Sequence, residues 1–155
     1  VPKGLLNRLM GKSSGIPIPD VVARREVELA AMNAVMTIET ELGYIPRDVS
    51  DAKVGYDIES VVPEELRGSL SSLRFIEVKG RAKGADTVTV TKNEILTALN
   101  KPDEYILAIV EVDGKDTKTV YLKNSFRERP DFAATSINYN ISELISGSEI
   151  VLKRG

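Results

Sequence analysis

The chain has 155 residues, 42% of them hydrophobic and 28% charged, enough for one domain with a sizeable core. Its net charge of −2 excludes a basic coat over the whole surface, though not a local basic patch. With no His and no Cys, histidine triads, thiolate chemistry, disulfides and zinc sites fall away, so catalysis needs carboxylates, Lys, hydroxyls or a hard cation held by oxygen.

Residues 1–20 hold three Pro and three Gly, and the chain opens on Val1. Leu5, Leu6, Leu9 and Met10 have the spacing of one amphipathic turn. The remainder reads as a linker or docking segment from an upstream domain, with the domain proper over 21–155. Gly11-Lys12-Ser13 is no phosphate loop, because the motif needs Gly where Leu6 stands. No run approaches the 18 or so apolar residues of a membrane span and no signal peptide is visible. A cytoplasmic protein without a membrane partner is expected.

Asp20 is the expected cap of a helix over 21–42, ended by Gly43. Val21, Leu29, Met32, Val35, Met36 and Leu42 form its apolar stripe, with Glu28 and Glu39 at the edge and Glu26 and Glu41 more exposed. A strand over 54–60 contains Asp57, 61–72 is a loop or hairpin tip, and 73–79 is a second strand. Residues 80–86, GRAKGAD, form a tight basic loop before a third strand at 87–90. Thr91 caps a helix over 92–100. The nearly continuous apolar run 104–112 is a strand buried on both faces. Asp113-Gly114 turns into a strand over 118–123. A long irregular stretch over 124–140 carries Phe126, Phe132 and Tyr139, and the tail holds a helix near 141–146 and a weak last strand. The order gives an α/β (α+β) sandwich around a mixed sheet.

Four acid-x-Lys triplets occur, against about 1.6 expected by chance from 23 acids and 11 Lys. Three lie in polar loops or turns. Only Glu77-Val78-Lys79 lies in a strand-like run, RFIEVKGR, where period two puts Ile76 and Val78 on one face and Glu77 and Lys79 on the other. Charges on a half-buried sheet face are costly unless paired or bound to metal. A hairpin of the two strands lets Asp57 meet Glu77. Two carboxylates repel, and a divalent cation relieves the repulsion. Asp57, Glu77 and a backbone carbonyl such as that of Val78 are oxygen donors suited to Mg²⁺ or Mn²⁺.

The segments VELAAMNAVMTIETELG, DVSDAKVGYDIES, RFIEVKGRA, VTKNEILTA and EYILAIVEV, within about residues 20–125, resemble the PD-(D/E)XK nuclease superfamily. The closer resemblance is to a helicase-associated domain related to the C-terminal domain of NO VEIN, found at the C-terminus of Swi/Snf-type superfamily-two helicases. The resemblance implies a restriction-endonuclease-like core, a mixed central sheet flanked by helices. It makes Asp57 and Glu77 metal ligands, Lys79 the catalytic lysine and Glu28 the first-helix acid, with Glu39 and Glu26 behind it. Asn93 and Glu94 match the domain's T-x-N-E pattern, as substrate contacts or as a helix cap. Tyr56 stands where the superfamily's Pro precedes the Asp. Residues 1–20 would join a helicase core.

Residues 67–92 carry a net +4, and Arg81, Lys83, Lys92 and Asn93 are the candidate nucleic-acid contacts. Three readings follow: a metal-dependent nuclease-like domain acting on DNA, a catalytically inactive nuclease fold that binds DNA or regulates a helicase, and a protein-interaction domain using 124–140.

Overall fold

The computed structural model describes residues 18–155. The expected turn at Leu5–Met10, and the linker up to residue 17, lie outside the described residues.

Helix α1 spans Ile18–Glu41. It already includes residues 18–20, so Asp20 sits within the helix rather than at its cap. At the other end Gly43, at φ +89°, closes a Schellman motif: the Gly43 N–H donates to the Thr40 carbonyl and the Tyr44 N–H to the Glu39 carbonyl, both at 3.0 Å. The buried stripe is Ala31, Val35 and Ile38, joined by the fully buried Glu39. Val21 and Leu29, expected in that stripe, are half exposed. The stripe is rotated because small alanines let the helix lie close to the sheet, which a count of large side chains cannot register.

Strands β1 (Ile45–Asp48), β2 (Ile58–Val61) and β3 (Leu73–Ala82) follow, with a short helix α2 (Glu64–Arg67) between the last two. Next come β4 (Thr87–Thr91), α3 (Lys92–Asn100), β5 (Tyr105–Asp113) and β6 (Asp116–Lys123). The chain closes with β7 (Ser136–Asn140), α4 (Ile141–Ser146) and β8 (Glu149–Arg154). No helix among the described residues is long and apolar enough to cross a membrane.

Among the described residues the main sheet has six strands, in the order β1-β2-β3-β5-β6-β8. Among the described residues only β3 and β5 are parallel, and every other neighbouring pair is antiparallel, so the sheet is mixed as expected. α1 covers one face, packing on Ile58, Ile76, Ile106, Ala108 and Val110. The other face carries Leu107, Ile109 and Leu122 against Val88, Val90, Ile95 and Leu144 from β4, α3 and α4. β5 therefore has apolar cover on both sides, which explains its unbroken apolar run.

Three expectations change. β4 does not join the main sheet but pairs with β7 in a separate two-stranded ribbon. β7 lies in the stretch expected to be irregular, and its alternation of Ile137 and Tyr139 with polar residues was the available signal. Phe126 is buried and stacks at a tilt on Tyr139 at 5.5 Å, whereas Phe132 is 96% exposed. The basic loop is also shorter than expected, because β3 runs on to Ala82.

A buried polar network pins α1 to the sheet. Arg74 of β3 donates to both oxygens of Glu39, at 2.9 and 3.1 Å, and the Tyr121 hydroxyl of β6 donates to Glu39 at 2.8 Å. Glu39 is thus a core ion-pair partner and not a first-helix site acid.

Candidate functional site

β2 and β3 pair only from Ile58↔Ile76 to Val61↔Leu73. Beyond Ile76, β3 has β5 on one side and, among the described residues, no strand on the other. Residues 49–57 peel away there as a loop, not as the start of the strand expected at 54. A 3₁₀ turn (Ser50–Ala52) opens it, followed by left-handed Lys53 (φ 52°) and Gly55 (φ 96°). Gly55 is required twice over: by its φ, and because a Cβ there would lie 2.3 Å from Thr97 Oγ1 of α3.

This loop delivers Asp57 to the open edge of β3. The Asp57 N–H donates to the Ile76 carbonyl at 2.9 Å, and the Val78 N–H donates to Asp57 Oδ2 at 2.9 Å. The N–H and C=O of one strand residue point to the same edge, so the Val78 carbonyl faces the same opening. Tyr56 stacks on Phe75 with ring centroids 4.5 Å apart, anchoring the residue before Asp57.

Glu77 and Lys79 stand on the sheet face away from α1, as period two requires. Lys79 Nζ lies 3.2 Å from Glu77 Oε2 and 2.9 Å from Glu94 Oε1. Glu94 opens α3 in a complete capping box: its N–H donates to Thr91 Oγ1 at 3.2 Å, and its Oε1 accepts from the Thr91 N–H at 2.9 Å. One carboxylate oxygen therefore caps a helix and holds the lysine. The T-x-N-E pattern pointed to this residue, but the second partner was invisible in the sequence because α3 and β3 meet only in the fold.

The electrostatics follow from burial. Desolvation, then the neighbouring Asp57 charge, push the Glu77 carboxyl up to about 9. Burial also raises Asp57, more than its bond from the Val78 N–H lowers it. Burial would lower Lys79, but Glu77 and Glu94 outweigh it and hold the ammonium above its usual range. For Glu94 the bond from Lys79 overcomes desolvation and the carboxyl is held low. At pH 7 Glu94 thus carries the charge opposite Lys79, while the 3.2 Å contact to Glu77 joins an ammonium to a neutral carboxyl.

These groups open into a cleft of about 750 Å³ between α1, the 49–57 loop, β3 and β4, lined by Asp57, Glu77, Val78, Lys79, Glu28 and Arg81 among others. Gly80 lets α1 form its wall: a Cβ at 80 would sit 2.6 Å from the Ala31 Cβ and 3.1 Å from the Val27 carbonyl. Glu28, exposed on α1, lines the cleft. Among the described residues, however, no three His, Cys, Asp or Glu side chains are grouped closely enough to hold a metal. The oxygen donors at hand are Asp57, Glu77 and the Val78 carbonyl, a set that fits a hard cation keeping several waters.

The other sequence candidates scatter. Lys83 pairs with Asp113 at 3.6 Å, Asn93 is exposed on α3, and Lys92 donates to the Phe132 carbonyl at 3.1 Å. Of the four expected nucleic-acid contacts, only Arg81 borders the cleft.

A family model described as Protein NO VEIN, C-terminal, matches residues 27–122. The match begins one residue before Glu28 and contains Asp57, Glu77, Lys79 and Glu94. No curated protein and no solved structure matches the chain.

Proposed function

The chain belongs to the NO VEIN C-terminal domain family, and from that premise we propose that it is a metal-dependent, nuclease-like phosphodiesterase domain acting on DNA. The observation that carries the reading is the convergence of Asp57, Glu77, the Val78 carbonyl and Lys79 on one cleft at the unpaired edge of β3. A divalent cation such as Mg²⁺ or Mn²⁺, bound there, would polarise the phosphodiester and acidify a water. Asp57 and Glu77 would present carboxylate oxygens to it, the cation taking the place of the Glu77 proton, and the Val78 N–H fixes the Asp57 rotamer. Lys79, held as an ammonium, is suited to stabilise charge developing on the phosphate oxygens rather than to take a proton. Glu94 sets the position of that ammonium. Arg81, at the cleft margin, is placed to hold a backbone phosphate. The resemblance to helicase-associated domains supports placing the domain beside an upstream helicase core in the same chain.

Incubation with plasmid and single-stranded DNA in Mg²⁺ or Mn²⁺ tests the reading. Wild type is expected to cut and Lys79→Ala to lose at least about a hundredfold in rate; equal cutting by the two contradicts the assignment.

One observation favours a second reading, a DNA-binding module that does not cut. Lys79 is already engaged by the side chains of Glu77 and Glu94, and Glu28 adds no third acid to the group. Salt-dependent DNA binding with no product in either metal is the signature of that reading.

A further inference from the structure

The sheet face that bears Glu77 and Lys79 continues beyond the cleft. Residues directly opposite each other on neighbouring strands share a face. Lys79 lies opposite Ile109, Ile109 opposite Val120, and Val120 opposite Lys153 of β8. One rung farther, Arg81 lies opposite Glu111, and Glu111 opposite Lys118 of β6. Between these rows lies a second concavity of about 420 Å³, floored by Ile109 and Val120 and walled by Ile141 and Ile145 of α4. Arg81 borders both this groove and the carboxylate cleft.

The charges at the rim are lopsided. Arg81, Lys118 and Lys153 are exposed, and none of them is in an ion pair among the described residues. Among the described residues Glu111 is the one acid on the lining, and it lies between Arg81 and Lys118. Arg81 and Lys118 are separated by two inter-strand spacings, about 10 Å, and Lys153 stands on the next strand. The protein as a whole carries −2, so a rim where Arg81, Lys118 and Lys153 outnumber the single acid Glu111 around an apolar floor runs against its average.

We propose that this groove seats a single strand of nucleic acid that leaves the carboxylate cleft past Arg81, with Arg81, Lys118 and Lys153 on its phosphates and the aliphatic floor under its bases. The proposal rests on the phosphodiesterase reading for the direction of the path, but not for the binding itself. An apolar floor suits unpaired bases, whose faces are exposed. A duplex hides those faces and offers only its charged backbone. With an aliphatic floor in place of aromatic rings, the groove gives little base preference.

The test uses the full chain and fluorescent oligonucleotides, a 15-mer dT and a 15-bp duplex, titrated across a salt series. Wild type is expected to bind the single strand more tightly than the duplex. Lys118→Glu with Lys153→Glu is expected to lose at least tenfold in single-strand affinity and to flatten the salt slope by about 1.4, two contacts at about 0.7 each. The charge-matched variant Lys101→Glu with Lys115→Glu is expected to lose much less. Equal losses in the two double variants, tighter binding of the duplex, or no binding by wild type overturn the groove. If wild type cuts DNA but the groove variant binds and cuts like it, the groove fails and the phosphodiesterase reading stands. If nothing is cut but the groove variant loses binding, the reverse holds.

Discussion

Glu77 is where the chemistry is most constrained. Its carboxyl sits at about 9 in the fold, against about 4.5 for an ordinary one, because burial and Asp57 both penalise its charge. The folded protein therefore binds a proton there that the unfolded chain releases above about pH 4.5. The stability this proton contributes is fully present below about 4.5 and is lost as pH rises toward about 9. In chelator, the melting temperature is expected to fall across that window, and Glu77→Gln to flatten the fall. Parallel pH profiles for the two proteins would contradict the burial argument. Glu77 and Lys79 were legible in the sequence because period two and the apolar frame of RFIEVKGR set them apart from three other acid-x-Lys triplets, whereas Asp57 was singled out on an expected strand over 54–60 and stands at the end of a loop instead. Glu94 was half legible: its capping spacing is local, whereas its hold on Lys79 needs α3 folded against β3. Glu39 misled for the complementary reason. An acid at a stripe's edge looks like a site acid until Arg74 and Tyr121 are seen to enclose it.

Among the elements, α1 and β3 do most to shape the cleft, and two substitutions probe their contact. Gly80→Ala drives a methyl to within 2.6 Å of the Ala31 Cβ, so α1 must move. A loss of about 1–3 kcal/mol by urea unfolding is expected, with weaker function of the cleft it walls. A neutral outcome would mean α1 is not held as described. Arg74→Ala leaves Glu39 buried without its cation and is expected to cost about 3–5 kcal/mol. Tyr121→Phe removes one hydrogen bond to the same carboxylate and should cost about 1.5–3 kcal/mol. The reverse order in urea unfolding would show that the hydroxyl, not the ion pair, secures α1. The sequence showed α3, β5, β6 and α4 closely, since each has a cap, a turn or an unbroken apolar run. It missed the β4–β7 ribbon, because the pairing of Thr87–Thr91 with Ser136–Asn140 spans more than 40 residues and leaves only a short alternation in each segment. It also overextended β2, because the left-handed turn at Lys53 and Gly55 interrupts an apolar pattern that otherwise reads as strand.

Over the whole molecule, the sheet divides the labour. The α1 face is core, and the opposite face is core only where β4, α3 and α4 cover it. At the margins of that cover lie the carboxylate cleft and the basic groove, with Arg81 between them. The mixed sheet and its helices followed from element order. The cleft followed only once β2 was seen to end short of β3, an event of strand length that no residue pattern announces. We propose that Asp57, Glu77 and the Val78 carbonyl form a divalent-cation site. Crystals soaked in Mn²⁺ test it most directly, through the metal's anomalous scattering. The expected result is one peak bonded to all three groups, lost in Asp57→Asn. A peak elsewhere, or none while Glu77 stays in contact with Lys79, would contradict it.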